Sequence, residues 1–250
     1  MPHLTSTGAR LAATGSERLG FGVPGYAHPL VAPVEWAELT RPGTPLHWAV
    51  LNVSEGPGQR PDPHCAEAAG KLRDAGGSLL GHLAMRDGAR SFGELVSDAH
   101  RFLDWYRVDG FYLAGAPAGT AGLAATARLT AALRELGEDR GPLRTVLGHG
   151  THPHPGYAEL ADQLVTFAGS WVDYRWSQVA EWTAEYPPER FCHFVHGVPR
   201  THLEEAVRIA RWQGAGTIWF TDRPGSRDPW ASMPGYWDEI VSRIGPGVSE

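Results

Sequence analysis

The sequence predicts an α/β protein folded as a single (β/α)8 barrel, and three observations carry that expectation. The chain has 250 residues, the usual size of one such barrel. Eight short apolar runs alternate with segments of helical period, the pattern of repeated β-α units around a parallel sheet. Glycine and proline gather in the loops that follow the runs. A hydrophobic content of 42% and a charged content of 20% are globular values that allow a large core.

The elements follow in order. "LGFGVP" (19–24) and "LHWAVLN" (46–52) are the first two strands, and the helical stretch 61–75 follows the second. "SLLGHLA" (78–84) leads to a helix over 92–107, and "GFYLAG" (110–115) to an alanine-rich helix over 120–136. "RTVLGHG" (144–150) and "QLVTFAG" (163–169) are the fifth and sixth strands. The aromatic stretch 170–190, "SWVDYRWSQVAEWTAEYPPER", lies where a barrel loop covers the pocket, and reads equally as a packed connector or as a substrate platform. "FCHFVHG" (191–197) precedes a helix over 201–213, whose "HLEEAVRIARW" sets charged faces around an apolar stripe; "TIWFTD" (217–222) precedes a last helix over 233–243. Residues 1–18 are expected to form a loose arm and 19–245 the barrel domain.

Composition excludes several function classes. The net charge of −6 is mild and no basic cluster or zinc-finger spacing occurs, so no nucleic-acid partner is expected. No run approaches the roughly 20 apolar residues of a membrane span, and the first residues lack a signal-peptide run; a cytoplasmic protein without membrane contact is expected. Cys65 and Cys192 are too few and too unpatterned for a disulfide scaffold. Lys71, the only lysine, sits in a helical stretch, which argues against Schiff-base and phosphate-loop chemistry, and G-x-S-x-G is absent. No cofactor is implied.

The loops "GVPGYAHP", "LNVSEGPG", "FLDWYRVDGFYL", "LGHGTHPHPGYAELAD", "HFVHGVP" and "TDRPGSRDPWASMPGYWDEIV" resemble, in order and nearly in spacing, those of the spherulin-4-like family, also called spherulation-specific family 4, over roughly Gly20 to Ile244. The resemblance implies a glycoside-hydrolase-type barrel acting on amino-sugar polysaccharide. It also implies a Phe-Asp-Glu end to the fourth strand and a Val-Phe-Glu end to the sixth. Here "DGFYLAGAPAG" and "VTFAG" put Ala114, Gly115 and Ala168 at those positions. Glycoside hydrolysis ordinarily needs two carboxyl groups about 5–9.5 Å apart, which these residues cannot supply.

Histidines stand at other strand ends: His82 where the family commonly has tyrosine, His149 where it tends to asparagine, and His28 and His196 on the same face. With Asp222 they suit three roles. They are acid-base catalysts titrating near neutrality, with His82, His149, His196 and Asp222 as the catalytic set; or metal ligands, though they come singly and the His152–His154 pair is interrupted by proline; or hydrogen-bonding groups of a polar pocket. The leading expectation has no metal: a repurposed intracellular enzyme doing isomerisation, elimination or cyclisation on a small or sugar-like metabolite. Its alternatives are a non-catalytic carbohydrate or metabolite binder and a glycosidase with relocated acids such as Glu55 and Asp222. Asn52, Tyr26, His28, Glu55, Tyr112, Trp171 and Trp230 complete the expected substrate-binding set. The glycines of "GAPAGTAG" read as a plain turn before a phosphate site.

Overall fold

The computed structural model describes residues 19–138, 141–226 and 228–244; the expected arm, 1–18, lies outside them, as does residue 245. Eight parallel strands close in sequence order: β1 (Gly20–Val23), β2 (Leu46–Leu51), β3 (Leu79–Ala84), β4 (Gly110–Ala114), β5 (Arg144–Gly148), β6 (Gln163–Ser170), β7 (Phe191–His196) and β8 (Thr217–Phe220). Each falls inside or within one residue of its expected run. Among the described residues no helix is long and apolar enough to cross a membrane.

Around the strands lie α1 (Pro33–Glu38), α2 (Pro63–Asp74), α3 (Phe92–Tyr106), α4 (Leu123–Glu135), α5 (Trp171–Tyr174), α6 (Leu203–Trp212) and α7 (Trp237–Ile244). Local chemistry sets their ends. Asp62 caps α2 ahead of Pro63, and Ser91 and Glu94 form a capping box on α3. Every expected helix is one to four residues shorter than its periodic stretch, and α4 and α7 lose most at their starts. The stretch at 120–136 opens with a 3-10 turn, Thr120–Gly122, and the last helix starts at Trp237 rather than 233, because the preceding segment is held as a loop by Asp222, which accepts from the Gly235 N–H. The short helix α1 was not anticipated. After β5 no α-helix forms among the described residues; "HPHPGY" makes only a 3-10 segment, Pro155–Glu159, since its prolines deny a helix interior its N–H groups.

Side-chain direction alternates along each strand, and the contacts fix which face is which. Trp48 of β2 donates through Nε1 to Gln163 Oε1 of β6 at 2.7 Å, and Gln163 Nε2 donates to Thr217 Oγ1 of β8 at 3.1 Å. Such bonds between strands that are not neighbours cross the barrel interior. Above this plug Trp48, Tyr112 and Phe194, from β2, β4 and β7, pack ring on ring with centroids 6.0–6.3 Å apart. Outward positions meet the helices instead: a side chain at Gly81 would collide with Phe102 of α3. The layered interior makes the barrel a filled core, with space only at its mouth.

Candidate functional site

At the C-terminal ends of the strands lies a cavity of about 480 Å3. Its aromatic surfaces are Tyr26, Tyr112, Phe194 and Trp230; its polar groups come from His28, Asn52, His82 and Asp228; Ala114 and Ala168 line it from β4 and β6. A larger groove of about 660 Å3 opens at the other end of the barrel, beside Leu103, Arg107 and Leu143. Residues at that end of a barrel serve stability, and chemistry sits at the C-terminal end, so the smaller mouth cavity is the candidate site.

Each polar group has a defined setting. His82 projects inward from β3, half-buried, its ring 6.1 Å from that of Tyr112 and its Nδ1 without a hydrogen-bond partner. Burial pulls its pKa down, and the nearby negative charge of Glu55 opposes the shift. Burial pushes the Tyr26 and Tyr112 hydroxyls up, Tyr26 also under the influence of Glu35 and Glu38. The Tyr26 hydroxyl, too, has no hydrogen-bond partner. Asn52 spends its carbonyl oxygen on the Gly56 N–H at 3.1 Å, which leaves its NH2 group for a ligand. His28 Nε2 faces Asp62 Oδ2 at 3.3 Å. Asp228 accepts from the Trp230 N–H at 3.0 Å and so fixes the loop that presents the indole. Flat apolar faces beside a few directed polar groups suit a polyhydroxylated ring.

The expected substrate-binding residues thus come together in large part: Tyr26, His28, Asn52, Tyr112 and Trp230 all line the cavity. Two do not. Trp171 opens α5 and is buried against His202, with Arg175 over its ring, so it packs into the connector; Trp176 of the same 170–190 stretch is exposed, and no residue of the stretch lines the cavity. Glu55 is exposed, holds a left-handed φ of 50° and pairs with Arg86 across the loops after β2 and β3.

Of the expected catalytic set only His82 lines the cavity. His149 follows β5 with the outward parity: its Nδ1 lies 3.2 Å from the Ala116 carbonyl, its ring stacks edge-on against Tyr157 at 4.8 Å, and burial lowers its pKa to about 4. His196 does not line the cavity, and its ring lies edge-on to Trp230 at 5.9 Å. Asp222 accepts from the Gly235 N–H at 3.0 Å, with Arg223 at 3.9 Å. The direct His196–Asp222 hydrogen bond that neighbouring strand ends would allow is not made. Sequence reasoning missed Phe194, Asp228 and Asp62. Phe194 could have been found from the inward parity of β7, and Asp62 from the Asp-Pro start of α2; Asp228 carries no comparable signal.

The sequence profile of spherulation-specific family 4 matches residues 21–244. The chain belongs to that family. It is 27% identical over 168 residues to spherulin-4 of Physarum polycephalum, an alignment covering 66% of this chain and 49% of the relative, so the chain spans about half the length of that curated protein. Among solved structures, Aspergillus clavatus Sph3 in complex with GalNAc superposes with a TM-score of 0.77 at 24% identity, covering 91% of this chain and 97% of the other. A chitinase from Rhizomucor miehei follows at TM-score 0.53 and 14% identity (84% and 97% covered), and the Bacillus cereus spore cortex-lytic enzyme SleL at 0.52 and 9% (89% and 74%). At these identities the structures establish the barrel fold and no more.

Proposed function

We propose that this chain binds a sugar-like ligand in the mouth cavity without hydrolysing glycosidic bonds. The observation that carries the reading is the cavity wall itself: Ala114 and Ala168, which occupy the positions where the family resemblance puts carboxylates, both line it. Among the described lining residues Asp228 is the one acid, so the protein itself supplies only one of the two carboxylates that the ordinary hydrolytic mechanism uses. The stacking and hydrogen-bonding groups, by contrast, converge. GalNAc bound to Sph3 makes an N-acetylated amino sugar the first ligand to try.

Calorimetric titration with GalNAc-containing oligosaccharide, alongside an assay for released reducing ends, tests the proposal. Binding without turnover is expected, weakened about 3–10-fold in Trp230→Ala, the loss of an aromatic contact of about 0.5–1.5 kcal/mol. Hydrolysis abolished by Asp228→Asn or Glu55→Gln would overturn it. A second reading, acid-base conversion of a small metabolite, rests on one observation: the unpartnered Nδ1 of His82. It predicts a rate loss of about 10²–10⁴ in His82→Ala once a substrate is known.

A further inference from the structure

Beside the mouth cavity, three side chains of different chemistry converge: His28 from the loop after β1, Asp62 at the start of α2 and Cys65 within its first turn. Their ligand atoms all lie within 4.8 Å of one another. We propose that they form a binding site for a single zinc-like transition-metal ion, a site that stands whether or not the cavity takes a sugar.

The division of labour on Asp62 supports this. Its Oδ1 does the capping, accepting from the His64 N–H at 2.9 Å and the Cys65 N–H at 3.0 Å. Its Oδ2 is not needed for the cap and faces His28 Nε2 at 3.3 Å. That separation is long for a charge-assisted hydrogen bond, which prefers about 2.7–2.9 Å. It matches the edge of a tetrahedron with metal–ligand bonds of about 2.0–2.1 Å, roughly 3.3–3.4 Å. The thiol side is looser, and closing it around an ion requires a shift of about 1 Å from the 4.8 Å limit.

The donor set selects the ion. One imidazole, one carboxylate and one thiolate suit zinc or cobalt, whereas calcium and magnesium demand oxygen. Three protein ligands leave a fourth position free, the arrangement of zinc sites that bind water or substrate rather than of closed structural sites. His28 also lines the mouth cavity, so the ion would sit at its edge. Binding has two local costs. Cys65 is buried with its pKa pushed up to about 12, so the metal must displace the thiol proton. The proton on His28 must move from Nε2 to Nδ1, which releases the 3.3 Å hydrogen bond that Nδ1 accepts from the Leu30 N–H.

Cobalt(II) added to chelator-stripped full-length protein provides the test. One equivalent per chain is expected, with a thiolate-to-cobalt charge-transfer band and the intense visible bands of tetrahedral cobalt. Zinc should quench both, and should raise the melting temperature. Cys65→Ala should abolish the charge-transfer band, and His28→Gln should weaken binding by more than the roughly 10–100-fold that loss of an outer-shell partner costs. Circular dichroism confirms that each variant is folded, and Cys65→Ser repeats the test with less change of volume. The exposed His154, far from the cluster in sequence, serves as control: His154→Ala should bind as wild type. The absence of the charge-transfer band in wild type, or its persistence in both Cys65 variants, overturns the proposal.

Discussion

The two halves of the barrel mouth differ in what their strand-end side chains do. On the β1–β4 side, β2 and β3 each return through a full helix, α2 and α3, and Tyr26 and His28 from the loop after β1, Asn52 after β2 and His82 on β3 line open space. On the β5–β8 side, β5 returns through a 3-10 segment and β6 through the four-residue α5. Most polar groups there are engaged locally: His149 through Nδ1 by the Ala116 carbonyl and by its ring against Tyr157, although its Nε2 has no hydrogen-bond partner, His193, within β7, by Tyr174 and Thr166, and Asp222 by Gly235. A histidine at a strand end is therefore not evidence of chemistry on its own. Its duty depends on whether the neighbouring connection leaves it room or uses it as a hydrogen-bonding wedge.

The sharpest way to break this contrast is acid. His193 is buried, with its pKa lowered to about 3 by burial and by the charge of His152; burial alone lowers His149 to about 4, with backbone contacts opposing. Both folded values lie below the ordinary value of about 6.5, so the unfolded chain takes up these protons first. Their contribution is complete above about pH 6.5 and is lost as pH falls towards the folded values, with a slope of up to about 1.4 kcal/mol per pH unit for each group. Urea unfolding followed from about pH 7 to about pH 4.5 should show that decline, and His193→Gln should flatten it. An unchanged slope in the variant would mean that this side of the barrel is not locked by its neutral histidines.

A smaller effect is expected where the two halves touch. Gly148 ends β5, and a Cβ there would lie 2.5 Å from the Tyr112 hydroxyl and 2.8 Å from its ring carbon Cζ. Gly148→Ala should cost about 1–3 kcal/mol by overpacking. It should also push Tyr112 towards the cavity and weaken the ligand measured by titration. Loss of melting temperature with undiminished affinity would show that the floor of the cavity does not depend on β5.

Most of the barrel was legible because parallel strands buried on both faces write themselves as apolar runs, from "LHWAVL" to "FCHFVH". The site was legible in part. Position at a strand end says that a side chain is near the mouth, whereas parity along the strand says which way it points. His82 shares the inward parity of Leu80 and Ala84 on β3; His149 has the parity opposite to Gly148, whose missing side chain makes room for Tyr112 inside the barrel. Trp171 shows a different failure, because an aromatic residue in a mouth loop buries itself as readily in the connector as in a pocket. Asp228 gave no sequence signal since its place depends on how the long segment after β8 folds back over Phe194.

The finest test concerns Glu55, which lies between the two sides of this contrast: near the cavity in space but engaged with Arg86 on the surface. The two side chains are 73% and 62% exposed, so their pairing is screened by water and Glu55→Gln should change stability by no more than about 1 kcal/mol. Electrostatics gives the substitution a second, separable consequence. The Glu55 charge holds the His82 pKa up against the larger effect of burial, so removing it should lower that pKa further, and the acid limb of any binding profile governed by His82 should move to lower pH. NMR titration of the His82 ring reads the shift directly. Glu55→Gly separates charge from backbone, since it removes the carboxylate and also relieves the left-handed φ of 50°. Equal pKa shifts in both variants, with a gain of stability only in the glycine one, would assign Glu55 an electrostatic influence on the cavity. A His82 titration unmoved in both would leave His82 controlled by its burial alone and place Glu55 with the locally consumed groups of the opposite half.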